Sequence, residues 1–134
     1  MKYLTDTQIF LWYLAGDSRI LPKARNFLGD TVSNTFFLSD VTAWEASIKY
    51  GLGKLHLPET PETFFSDRVR QADYRHLRID LRHVTNVHSL PPAHKDPFDR
   101  LLVSQAALEN MTLISDDPVF KHYGVKLLTL LDIS

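Results

Sequence analysis

The stretch Thr35-Phe36-Phe37-Leu38-Ser39-Asp40-Val41-Thr42-Ala43-Trp44-Glu45 changes character at its middle. Residues 35 to 39 are β-branched and aromatic and read as a strand. A helix follows over Val41 to Tyr50, with Ser39 or Asp40 available as its cap and Gly51 and Gly53 ending it. A strand running straight into a helix is the building unit of a parallel sheet.

The same alternation extends in both directions. Upstream, Tyr3-Leu4-Thr5 is a short buried strand and Thr7 to Leu14 a helix that is apolar nearly all round, broken at Gly16-Asp17-Ser18. Ile20 to Leu28 reads as a second helix with Leu21, Ala24, Phe27 and Leu28 on one face and Gly29 as its stop. Downstream, Thr60-Pro61 opens a helix that runs to about Ala72. Leu77-Arg78-Ile79-Asp80 alternates as a third strand, and Leu81 to Ser89 is helical up to a turn at Pro91-Pro92. Pro97 opens a helix over Phe98 to Glu109 that Asn110 can stop, and Thr112 to Ser115 is a fourth strand. Asp117-Pro118 starts a short helix, and Val125 to Leu128 is the last strand. The expected fold is α/β: a mainly parallel sheet of four to five strands flanked by helices, with residues 1–134 forming a single domain.

Composition narrows the function. The 134 residues are 44% hydrophobic, and 15 basic against 16 acidic side chains leave a formal charge of −1, which argues against strong nonspecific nucleic-acid affinity. The absence of cysteine excludes disulfides, thiol catalysis and thiolate metal sites. The longest apolar run, Ile9 to Ala15, is far short of the ~20 residues a spanning helix needs, and Asp6 interrupts any signal peptide. These features fit a cytoplasmic protein with no membrane association.

The carboxylates carry the chemistry. Asp6 follows the first strand, Glu45 lies one turn into the helix after the second, Asp96 and Asp99 flank the start of the helix at Pro97, and Asp116 and Asp117 follow the fourth strand. In an open parallel sheet the carboxyl ends of the strands share one edge, where ligand crevices form. Singly, such acids cap helices, and Glu45 pairs with Lys49. Together on one rim they repel unless a proton or a cation intervenes. An all-oxygen donor set favours a hard cation, Mg2+ or Mn2+. None of the six histidines has zinc spacing, His94 reads as a solvated loop residue beside the site, and Gly51-Leu52-Gly53-Lys54 follows a helix instead of cradling phosphate.

Five segments carry a family resemblance: Leu4-Thr5-Asp6-Thr7, residues 39–45, residues 49–58 (KYGLGKLHLP), residues 94–106 (HKDPFDRLLVSQA) and residues 113–120 (LISDDPVF). In that order the chain resembles PIN-domain ribonucleases of the VapC type, the toxins of type II toxin–antitoxin pairs. The resemblance implies a PIN-like fold and a metal-dependent endoribonuclease with Mg2+ or Mn2+ as cofactor. It further implies an RNA substrate, a small co-encoded antitoxin and a homodimer. It carries the metal-binding and catalytic acids onto Asp6, Glu45, Asp99 and Asp117, with Asp96 and Asp116 as second candidates. Thr7 and Ser115 have supporting hydroxyls for a water or phosphate oxygen, or for capping.

Two other readings fit the acids alone. One is a non-catalytic binding module whose acidic rim receives a basic partner. The other is a Mg2+-binding phospho-receiver domain, which asks for paired acids after the first strand and gives Glu45 no role. The early apolar helix, with Phe10, Leu11, Trp12 and Tyr13, is expected to turn one face to a dimer mate or a partner peptide.

Overall fold

In a computed structural model, which describes residues 1–92 and 95–134, five strands form one sheet. They are β1 (Lys2–Thr5), β2 (Thr35–Ser39), β3 (Arg75–Leu77), β4 (Thr112–Ile114) and β5 (Leu127–Leu128). All pairings are parallel, in the order β3-β2-β1-β4-β5. Seven α-helices appear among the described residues: α1 (Thr7–Ala15), α2 (Pro22–Leu28), α3 (Asp40–Gly51), α4 (Pro61–Gln71), α5 (Leu81–Thr85), α6 (Pro97–Leu108) and α7 (Leu130–Ile133). Short 3-10 turns over Asn86–Ser89 and Pro118–His122 complete the connections. None of the helices among the described residues is long and apolar enough to cross a membrane.

Strand alternation builds two cores. Tyr3, Phe36, Leu38 and Ile114 face α1, α2, α4 and α7, while Leu4, Phe37 and Leu113 face α6 and the 3-10 turn at Pro118–His122. The central strand β1 is buried on both faces from Tyr3 to Thr5, as a parallel strand covered on two sides must be. An aromatic stack fills the first core: Phe36 lies 5.0 Å from Tyr74 and 5.4 Å from Tyr3, and the Tyr74 hydroxyl donates to Leu28 O at 2.8 Å.

Several boundaries move, each for a local reason. The third strand is Arg75–Leu77, not 77–80: Asp80 caps α5, accepting Arg82 N–H at 2.9 Å, so the chain leaves the sheet after Leu77. Its edge position leaves Arg75 and His76 exposed, which hides the strand from an apolar-pattern reading. Helix α2 starts at Pro22, and Leu21 is 52% exposed at its cap instead of lying on the buried face. Thr60 precedes α4, but its hydroxyl faces Thr63 Oγ1 at 3.4 Å and bonds no backbone N–H. Asn110 takes φ 54° and ends the α6 segment as expected.

Helix α1 turns inward more than its sequence suggests. Ile9 and Phe10 are fully buried, and Leu11, Trp12, Tyr13 and Leu14 pack half-buried against the same core. Phe10 therefore belongs to the core and presents no face to a partner. Gly16 then takes φ 66°, and its N–H donates to Tyr13 O at 3.3 Å, closing the helix in a left-handed cap. Phe10→Ala is expected to lower the unfolding free energy by about 3–5 kcal/mol in urea titration, with Trp12→Ala costing less.

Candidate active site

The carboxyl edge of the sheet sets the first acid. Register pairs Thr5 with Ile114, so Asp6 and Ser115 are the next residues on adjacent strands. Asp6 caps α1: its Oδ1 accepts Ile9 N–H at 2.9 Å and its own N–H donates to Ile114 O at 3.0 Å. Its Oδ2 accepts the hydroxyl of the fully buried Ser115, whose Oγ in turn accepts Asp117 N–H at 3.1 Å. One hydroxyl thus fixes Asp6 and the backbone that carries Asp117.

Burial pushes the Asp6 carboxyl from 3.8 up to about 6. Its hydrogen bonds from Ser115 and Ile9 pull the other way without offsetting this, and the charges of Asp116 and Asp117 add to the rise.

The other acids arrive from separate elements. Glu45, on α3, sits 3.7 Å from the Lys49 ammonium one turn on. Asp99 occupies the first turn of α6, while Asp96 caps that helix, accepting Phe98 N–H at 2.8 Å and Asp99 N–H at 3.2 Å. Asp117 caps the 3-10 turn, accepting Val119 N–H at 3.0 Å. Asp6, Glu45, Asp96, Asp99 and Asp117, with Thr7, all line one pocket of about 330 Å³.

Asp116 does not line that pocket. Its Oδ1 accepts Leu130 N–H at 2.7 Å, which ties the start of α7 to the end of β4. It shares a neighbouring cavity of about 340 Å³ with Asp6, Asp117, Gln8 and Trp12. Arg100 is committed elsewhere too, donating to Pro91 O at 2.8 Å and Val87 O at 3.1 Å, so it braces the segment before α6. His94 lies outside the described residues, and no histidine lines the acidic pocket among those described.

The sequence reading missed the pocket's other walls. Val41, Ala46, Leu55, Leu102 and Phe120 supply apolar walls, and Phe98 lines it while packing edge-on against Trp44 at 4.6 Å. Such residues carry no motif of their own, although Phe98 lies inside the Asp96–Asp99 block.

Among the described residues no three carboxylate or imidazole side chains stand close enough to hold an ion as they are. The acids ring an open pocket. Their chemistry nevertheless fits a hard cation: the donors are oxygens, and Asp6 is ionised at neutral pH against a burial penalty that a cation would relieve.

A parallel sheet with an acid-lined crevice at its carboxyl edge defines a class of α/β site. The PIN domain family profile matches residues 3–126, and the chain belongs to that family. It is 38% identical over 55 residues to Ribonuclease VapC16 of Mycobacterium tuberculosis, a stretch covering 41% of this chain and 39% of that relative's length. Its fold resembles that in the structure of VapBC2 from Rickettsia felis bound to a promoter DNA fragment, with a TM-score of 0.73 and 19% identity over 96% of this chain and 98% of that one. It also resembles VapBC-1 from nontypeable Haemophilus influenzae, with a TM-score of 0.62 and 16% identity over 98% and 99% of the two chains.

The raised Asp6 value makes metal-free stability depend on pH. An acid with a higher folded than unfolded value contributes stability that is fully present below pH 3.8 and lost as pH rises through about 6. A shift of this size corresponds to about 3 kcal/mol. Asp6→Asn keeps a capping oxygen without the charge, so at pH 7.5 in chelator it should melt several degrees above wild type. That gap should close near pH 4 in calorimetric scans, and a variant that melts lower at both pH values would contradict the burial penalty.

Proposed function

We propose that this chain is a Mg2+- or Mn2+-dependent endoribonuclease, the toxin of a toxin–antitoxin pair, acting as a one-domain cytoplasmic protein. The convergence of Asp6, Glu45, Asp99 and Asp117 from four segments on one pocket carries this reading. Membership of the PIN family and the likeness to a VapC ribonuclease support it.

In this reading Asp6, Glu45, Asp99 and Asp117 hold the cation. When bound, it supplies Lewis-acid charge for a phosphoryl oxygen and makes a nearby water more acidic. The chain's own contribution is orientation. The Ile9 N–H and the Ser115 hydroxyl hold both oxygens of Asp6, and Ser115 acts through that acid instead of on substrate. The α3 and α6 helices bring Glu45 and Asp99 to the same pocket, which Thr7 also lines, and in this reading its hydroxyl would meet a phosphate oxygen. Asp116 serves the fold, accepting Leu130 N–H outside the pocket, and Asp96, which also lines the pocket, caps α6 with Oδ1.

The likeness to VapBC structures supports a small antitoxin partner, and a homodimer is what the resemblance to VapC-type toxins implies. The cavity that joins Trp12 to Asp6, Asp116 and Asp117 suits an apolar side chain followed by an arginine, which pairs bidentately with carboxylates. Trp12→Ala should therefore weaken inhibition by the antitoxin more than it weakens cleavage.

The deciding experiment is cleavage of single-stranded RNA with and without Mn2+. Activity should vanish with chelator and in Asp99→Ala, whose melting temperature stays near that of wild type. Asp96→Ala should cost about 1 kcal/mol of stability through the lost cap and retain partial activity. Full activity in Asp99→Ala, or cleavage that survives chelation, would contradict this reading.

A further inference from the structure

Gln105 is fully buried in α6, a helix that otherwise meets the sheet with Leu102, Val103 and Ala106. Every polar group of its amide is engaged. Its Oε1 accepts the hydroxyl of Ser39, and its Nε2 donates to Arg78 O at 3.3 Å and faces His83 Nδ1 at 3.3 Å. Ser39 is the cap of α3, its Oγ accepting Val41 N–H at 3.0 Å. His83 is equally buried and takes Asp80 N–H on Nδ1 at 3.1 Å, completing the cap of α5.

The amide thus joins α6, the start of α3, the exit of β3 and the start of α5. Two of those elements carry acids of the pocket: α3 brings Glu45 and α6 brings Asp99. Apolar packing between two helices tolerates sliding and rotation, because it is non-directional. A buried hydrogen-bonded amide resists such movement, because its bonds to Ser39 and Arg78 O are directional. Of the imidazole it meets, only His83 Nδ1 is bonded, and the ring's Nε2 has no hydrogen-bond partner among the described residues.

We propose that Gln105 is a positioning residue for the acidic pocket. Through Ser39 it sets the placement of α3 against α6, and so the separation of Glu45 from Asp99. This rests on the reading of the pocket as a cation site. Loss of a ligand's own hydrogen-bond partner changes metal affinity by roughly 10–100-fold. Gln105 and Ser39 bond no candidate ligand and act one step further out, through the placement of α3 against α6, so the lower end of that range is expected.

The test is Mn2+ binding by calorimetry at 20 °C, on protein shown to be folded by circular dichroism. Gln105→Met preserves bulk and removes the amide. Ser39→Ala removes the hydroxyl, and Ser39→Thr keeps it. Gln105→Met and Ser39→Ala should each weaken Mn2+ binding by roughly 10-fold or more, Ser39→Thr should match wild type, and the double variant Gln105→Met/Ser39→Ala should be no weaker than the single ones. In RNA cleavage the same variants should lower kcat with little change in KM. If Gln105→Met does not fold, Gln105→Leu, which also removes the amide and leaves the Ser39 cap of α3 in place, decides instead. A folded Gln105→Met that melts lower yet binds Mn2+ like wild type overturns the proposal and leaves the cation reading standing. Wild-type protein that binds no Mn2+ removes that reading, and this proposal with it.

Discussion

A parallel sheet delivers the carboxyl ends of its strands to one edge, and in this chain that edge begins with a carboxylate that is hard to ionise. Asp6 stands at the end of the central strand, enclosed enough that its carboxyl rises to about 6. Ser115 and the Ile9 N–H hold it in place from the neighbouring strand and from its own helix. The fold accepts a conformation that costs stability at neutral pH, and a cation bound beside Asp6 would remove that cost.

The acids differ in whether they also hold the backbone. Asp116 accepts Leu130 N–H at the start of α7 and lies outside the pocket. Glu45 and Asp99 come from inside their helices and line the pocket. Asp6, Asp96 and Asp117 do both, each capping a helical turn with one oxygen while lining the pocket. Capping and function are not alternatives at these positions. A cap fixes the side chain, and a fixed side chain makes a better ligand.

The sheet was legible because β1, β2 and β4 are buried and apolar, and their loops carry the acids one residue or one turn on. The edge strand β3 was displaced because Arg75 and His76 are solvent-facing, so its membership comes from pairing with β2 and not from pattern. Helix α7 escaped notice through its length of four residues, although Thr129 and Asp132 form a reciprocal cap. His83 stood out only as one of six histidines without zinc spacing, yet it is buried and completes another such cap. Gln105 gave no signal, since a lone amide in an apolar helix reads as its solvent face. The candidate acids and the rim they share were legible by position; the apolar walls of the pocket were not, because they depend on the placement of α3 and α6.

The central claim is that these carboxylates form one cation site. A crystal grown in Mn2+ and measured near the manganese absorption edge tests it most directly. The account predicts an anomalous peak in the pocket, with Asp6 and at least one of Glu45, Asp99 and Asp117 as ligands at about 2.0–2.3 Å. A pocket without such a peak at millimolar Mn2+, in crystals that bind manganese elsewhere, would contradict it.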